Sequence, residues 1–109
     1  MGMVKRFELY LVDLNPTRGS EIFKTRPALV FCPDEMNEYQ ITIIIAPMTT
    51  KGKKFPTRME CHFAGKDGQI ALDQITSVDK SRLVKKMGEI DNEFGQQALE
   101  VLQFMFEEN

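Results

Sequence analysis

From Phe7 to Ile90 the apolar residues come in short runs of period two, and only the last stretch keeps the three-four spacing of a helix. A strand alternates its side chains between two faces, so this pattern restricts the chain to a mainly β fold with a helix at its end. Phe7–Leu14 sets Phe7, Leu9 and Leu11 against Glu8 and Tyr10, which predicts a strand. Pro27–Cys32 is short and apolar, a buried strand whose proline stands at the start, where a missing N–H costs least. Ile41–Met48 carries four isoleucines and predicts a central strand. Met59, Cys61 and Phe63 alternate with Arg58, Glu60 and His62 to give a fourth. "AGKDG" at 64–68 reads as a tight turn, and Gln69–Ile75 as the next strand, with Ile70 and Leu72 opposed to Gln69, Ala71 and Asp73. A turn at "SVDKSR" then precedes a strand at Leu83–Ile90. "NPTRGSE" at 15–21 and "TTKGKKFPT" at 49–57 read as loops. Asp91 is the predicted N-cap of the helix, and Phe94, Ala98, Val101, Leu102 and Met105 form its apolar stripe. Gly95 inside that helix costs about 1 kcal/mol relative to alanine. Five or six short strands and one terminal helix predict a small, strongly bent antiparallel barrel.

With 109 residues, the chain reads as one domain over 1–109. No apolar run approaches the roughly 18 residues of a spanning helix, so no membrane partner is expected. "MGMVKRFELY" lacks a signal-peptide core, which predicts a cytoplasmic protein. Cys32 and Cys61 are too few for a metal site or a disulfide framework and read as buried free thiols. A net charge of −2 argues against a general nucleic-acid binder, but its distribution is uneven. Seven bases and four acids lie between Arg18 and Arg58, whereas Glu89–Asn109 holds six acids and no base. One end of the molecule could therefore face an anion.

The single histidine, His62, falls on the polar side of its strand and reads as a solvated surface residue. Without a second histidine, a paired-histidine ribonuclease mechanism is excluded. No phosphate-binding glycine loop or metal-ligand cluster appears, so neither cofactor nor metal is expected. Two stretches remain. "RGSEIFKTRPALV" places Glu21, Lys24 and Arg26 before a buried strand; "APMTTKGKKFP" ends the central strand with Thr49 and Thr50 and adds Lys51, Lys53, Lys54 and Phe55. The planar guanidinium fork suits phosphate, and hydroxyls with loop N–H groups can hold its oxygens. If the two loops converge at one end of the barrel, they make a phosphate clamp.

Taken together, "LYLVDLNPTRGSE" at 9–21, "TRPALV" at 25–30, "IAPMTT" at 45–50 and "LDQITSVDKSRL" at 72–83 resemble the MazF/PemK toxins of toxin–antitoxin systems, over nearly the whole chain. The resemblance implies an SH3-like barrel and a metal-independent, sequence-selective endoribonuclease acting on single-stranded RNA, chiefly messenger RNA. In such enzymes the ribose 2′-hydroxyl attacks the adjacent phosphorus, leaving a cyclic phosphate and a free 5′-hydroxyl. The family's arginine maps to Arg26, its threonine to Thr49 and its loop acid to Glu21. Arg26 would neutralise charge on the phosphorus, and Thr49 would hold an oxygen. Glu21 either serves as base or orients Arg26. Substrate contacts are expected from Ser20, Lys24, Thr50, Lys51, Lys53, Lys54, Phe55 and Gln74, with Phe55 either stacked on a base or anchoring its loop. The PemK-type constellation is not matched. Its arginine and histidine positions are Ala71 and Ser20 here, which leaves Asp73 without its arginine and points to the MazF-type arginine–threonine site. The family further implies a homodimer and an antitoxin whose acidic, disordered tail lies in the RNA groove.

Two other classes compete. A CcdB-like gyrase poison on the same fold depends on a tryptophan-containing C-terminus, and this chain has no tryptophan. A non-catalytic SH3-like binding module would give Arg26 no role beyond the fold.

Overall fold

A computed structural model describes residues 3–14, 25–50, 52–63 and 65–108. The elements in chain order are β1 (Glu8–Asp13), β2 (Thr25–Val30), α1 (Asp34–Tyr39), β3 (Thr42–Thr50), β4 (Arg58–Phe63), β5 (Lys66–Ala71), β6 (Thr76–Asp79), β7 (Leu83–Glu89) and α2 (Asn92–Met105). The architecture is the expected one, an antiparallel sheet with a C-terminal helix. The sheet stays open: its order is β4-β5-β3-β2-β1-β7, with β6 added to β3. Strand β3 is the hub. Its first half pairs with β6 and β2, and its second half turns to pair with β5. The β1–β7 ladder shifts register twice, between Leu9 and Tyr10 and between Leu11 and Val12. Each shift bends the strands and adds twist.

Both faces of this curled sheet carry a core. One gathers Tyr10, Val12, Val30, Ile43, Ile45 and Leu83. The other gathers Phe7, Leu9, Leu29, Ile70, Leu72 and Ala98, covered by α2 through Phe94 and Leu102. The Asp91 cap is as expected, its carboxylate accepting from the Phe94 N–H at 2.8 Å.

Several elements differ from the sequence reading, each for a local reason. Glu8 and Tyr10, placed on the polar side of β1, are buried. Glu8 meets the Lys86 ammonium at 2.6 Å and accepts from the Lys5 N–H at 2.7 Å, so its charge is paired. Burial, and then the Glu8 carboxylate, push the Tyr10 phenol above its ordinary range. Gly65 turns with a φ of 76°, so β5 already begins at Lys66, inside the expected turn. It ends at Ala71, where a 3-10 turn over Leu72–Gln74 replaces the rest of the expected strand. The next segment, read as a turn, contains β6. Cys32 is buried, whereas Cys61 is only half-buried. The short helix α1 was not anticipated.

Candidate active site

Three strands build the site, and register places its parts. Ala28 of β2 faces Pro47 of β3 in the ladder. Arg26 lies two residues before Ala28 and Thr49 two residues after Pro47, so both stand beyond the same end of that ladder. Thr49 in turn faces Gln69 of β5, and Thr50 faces Gly68. The buried halves of β2 and β3 thus hold the backbones of Arg26 and Thr49, while both side chains stay half-exposed at the sheet's end. The Thr49 hydroxyl is 3.5 Å from the Gln69 carbonyl, at the limit of hydrogen bonding, so it is only loosely held there.

Arg26, Thr49 and Thr50 line one cleft of about 280 Å³ together with Pro27 and Met48. Among the described residues the lining is completed by Lys66 and Asp67, both exposed on β5. Sequence reasoning missed these two because "AGKDG" reads as a turn. The signal that could have found them is the β5 register, which runs their strand beside the end of β3.

Gln69 also joins the basic loop to the sheet. Its side chain is 1% exposed, and its amide donates to the Lys53 carbonyl at 3.1 Å and the Gly52 carbonyl at 3.5 Å. The expected polar position is therefore a buried tether, which removes the cost of hiding an unpaired amide. Lys53, Lys54 and Phe55 follow on the surface and do not line the cleft. Phe55 is 51% exposed with the Arg58 guanidinium 5.8 Å from its ring centroid. Gln74 is exposed on the 3-10 turn, likewise outside the cleft lining. Ser20, Glu21, Lys24 and Lys51 lie outside the described residues.

Asp73 does have an arginine partner, contrary to the sequence reading. Arg58 of β4 grips it with two hydrogen bonds, Nε to Oδ1 at 2.9 Å and Nη2 to Oδ2 at 3.0 Å. The arginine comes from the neighbouring strand, whose Arg58 faces Ala71 in the ladder. That grip holds the Asp73 carboxyl below the usual aspartate range. His62 is exposed as expected, but it is paired: its Nδ1 lies 2.7 Å from Oδ1 of Asp67, its direct cross-strand neighbour. Burial pushes the Cys61 thiol up, and the charge of Asp67 adds to the effect. Cys61 is thus a poor nucleophile at neutral pH. Among the described residues, no three His, Cys, Asp or Glu side chains are grouped as metal ligands.

Chemically, the cleft offers a guanidinium, two hydroxyls and an ammonium to a tetrahedral anion, beside one carboxylate.

Residues 5–106 match the family described as PemK-like, MazF-like toxin of type II toxin–antitoxin system. The fold is shared with solved structures at low sequence identity. MazF from Deinococcus radiodurans superposes with a TM-score of 0.80 at 22% identity, over 96% of this chain and 97% of that one. A MazE–MazF complex from the same organism gives 0.83 at 22% identity, over 96% of each chain. A mycobacterial endoribonuclease in complex with its cognate antitoxin gives 0.74 at 20% identity, over 95% of this chain and 93% of that one.

Proposed function

Because the chain belongs to the PemK-like, MazF-like toxins of type II toxin–antitoxin systems, we propose that it is a sequence-selective endoribonuclease acting on single-stranded RNA, with messenger RNA as its natural target and arrest of translation as the result. The observation that carries this reading is that Arg26 and Thr49 line one cleft at the end of the sheet.

The 2′-hydroxyl of one nucleotide attacks the adjacent phosphorus. Its proton goes to a base, the P–O5′ bond breaks, and the departing oxygen takes up a proton. The products are a 2′,3′-cyclic phosphate and a 5′-hydroxyl. Arg26 stabilises the extra charge on the equatorial oxygens, and the Thr49 hydroxyl donates to one of them. The β2 backbone is fixed by its ladders, so little ordering cost remains when the guanidinium meets phosphate. Glu21 is the proposed base or the group that orients Arg26. Ser20, Lys24, Thr50, Lys51, Lys53, Lys54, Phe55 and Gln74 are proposed to contact the flanking RNA, Phe55 by stacking its exposed ring on a base.

The same cations suit an acidic, disordered antitoxin tail, which would compete with RNA for one surface. Antitoxin complexes of structurally similar chains support this partner. A cytoplasmic homodimer with RNA lying across its interface completes the proposal. Among the described residues no helix is long and apolar enough to cross a membrane.

The test is cleavage of a long, structure-poor RNA in EDTA, with 5′ ends mapped beside an Arg26→Ala variant. Discrete cuts sharing a short motif, absent in the variant, are expected. Equal cleavage by a folded Arg26→Ala protein would refute the assignment, and no cleavage by the wild type would redirect the search to a protein target.

A further inference from the structure

The cleft that holds Arg26 and Thr49 also holds a carboxylate, Asp67. A phosphate-binding cleft gains nothing from an acid in its wall, since like charges repel. An ionised carboxylate only accepts hydrogen bonds. RNA offers donors without negative charge at the ribose 2′-hydroxyl and along the base edges, and of these only the base edges, above all their exocyclic amines, differ from one nucleotide to the next. Lys66 and Asp67, adjacent on β5, therefore divide the labour: the ammonium serves phosphate and the carboxylate serves a base.

The surroundings of Asp67 fit this division. It is the wall shared by the cleft and a second, shallow depression of about 260 Å³, lined also by Glu60, Cys61, His62 and Gly68. Among the described residues that depression is lined by no arginine or lysine, so it is unsuited to phosphate. His62 meets Asp67 Oδ1 at 2.7 Å from directly across the β4–β5 ladder. Both side chains are about two-thirds exposed, at 67% and 66%, so their contact adds little to stability. Its effect is on direction: the contact draws Oδ1 of the carboxylate toward the imidazole.

We infer that Asp67 is a specificity-determining residue, accepting a hydrogen bond from the amino group of a base next to the scissile phosphate, with His62 as its positioning residue. This rests on the ribonuclease reading above. Cytosine, adenine and guanine carry such an amine. Uracil does not: its one edge donor, N3–H, is flanked by two carbonyl oxygens that repel the carboxylate.

The experiment is cleavage of a random-sequence RNA pool by the full chain, with the cut sites sequenced for wild type, Asp67→Asn, His62→Ala and His62→Asn. Thermal melts confirm that each variant is folded. Wild type should exclude uracil at one position beside the cut. Asp67→Asn, whose amide can donate as well as accept, should admit uracil there, with the preference changing by about 10-fold or more. His62→Ala should weaken discrimination at that same position. His62→Asn, which keeps a donor facing Asp67, should restore it. An unchanged motif in Asp67→Asn overturns the inference while the ribonuclease reading stands. A uniform loss of rate on all sequences overturns it as well, because that would mark a catalytic group rather than a reader. Absence of cleavage by the wild type overturns both.

Discussion

Replacing Gly95 by alanine should destabilise the protein, although the same change in an ordinary exposed helix stabilises by about 1 kcal/mol. Gly95 is buried in α2, against the ring of Phe7. A Cβ added there would lie 2.5 Å from one ring carbon and 2.6 Å from two more. Carbon atoms in good contact sit roughly 3.5–4.0 Å apart, so about 1 Å of movement is demanded. The Phe7 ring has little room to give. It is 8% exposed and packs edge-on against Phe31, with ring centroids 6.4 Å apart. Its backbone is pinned at a φ of 69° between two hydrogen bonds, its N–H to the Val30 carbonyl and its C=O from the Ile90 N–H. Overpacking of this kind costs about 1–3 kcal/mol. Set against the helical gain, the net loss is about 1 kcal/mol, which lowers Tm by roughly 4 °C in a chain of this size. The assay is equilibrium urea unfolding at one fixed protein concentration, for wild type, Gly95→Ala, Phe7→Leu and the double variant. In the Phe7→Leu background the alanine should become neutral or stabilising, a coupling of about 1 kcal/mol or more. A higher urea midpoint for Gly95→Ala in the wild-type background would refute the steric argument.

Other outcomes follow from the same geometry. Thr49→Val should lower kcat about 100-fold in the RNA cleavage assay with the fold intact, because one donor to the phosphate is lost; Thr49→Ser should keep most of the rate. Gln69→Leu should cost about 1–3 kcal/mol in urea unfolding, since it leaves the Lys53 carbonyl without its amide donor, and should loosen the 52–55 loop, seen as faster amide exchange there. Asp73→Asn should cost up to about 1 kcal/mol at pH 7, the range of a well-formed surface pair. The Asp73 pKa is lowered in the folded state, so its contribution is full above the unfolded aspartate value near 4 and fades as pH falls through the lowered folded value. Unfolding curves for wild type and Asp73→Asn should therefore converge in acid, and a gap that persists at pH 2 would contradict this account.

The strands were legible where apolar and polar residues alternate, as in Arg58–Phe63, or where β-branched residues run together, as in Ile43–Ile45. The Asp91 cap was legible because an acid before an amphipathic run has one strong local use. Misreadings came where a polar side chain finds its partner far away in sequence. Glu8 is buried because Lys86 reaches it, and Gln69 because the Gly52 and Lys53 carbonyls accept from it. Asp73 looked partnerless because its arginine stands on another strand. The helix α1 spans six residues and has no side-chain cap, too short for periodicity to declare itself. Within the site, Arg26 and Thr49 were found as residues, but their lining one cleft depends on β2 and β3 pairing as neighbours in the sheet. Lys66 and Asp67 were hidden because a single glycine turn sufficed where a longer one was expected.

The pairing of β1 with β7 joins Glu8 to Glu89, two residues far apart in the chain. During synthesis β1 emerges well before β7, at about 5–20 residues per second. Until β7 and α2 arrive, one edge of β1 is unpaired and Phe7 and Leu9 lack their cover. Contacts this distant in sequence form late and slowly. The cleft, lined among the described residues by β2, β3 and β5 alone, does not wait on that closure, so the edge completed last is the one that carries Phe7 rather than the one that carries Arg26.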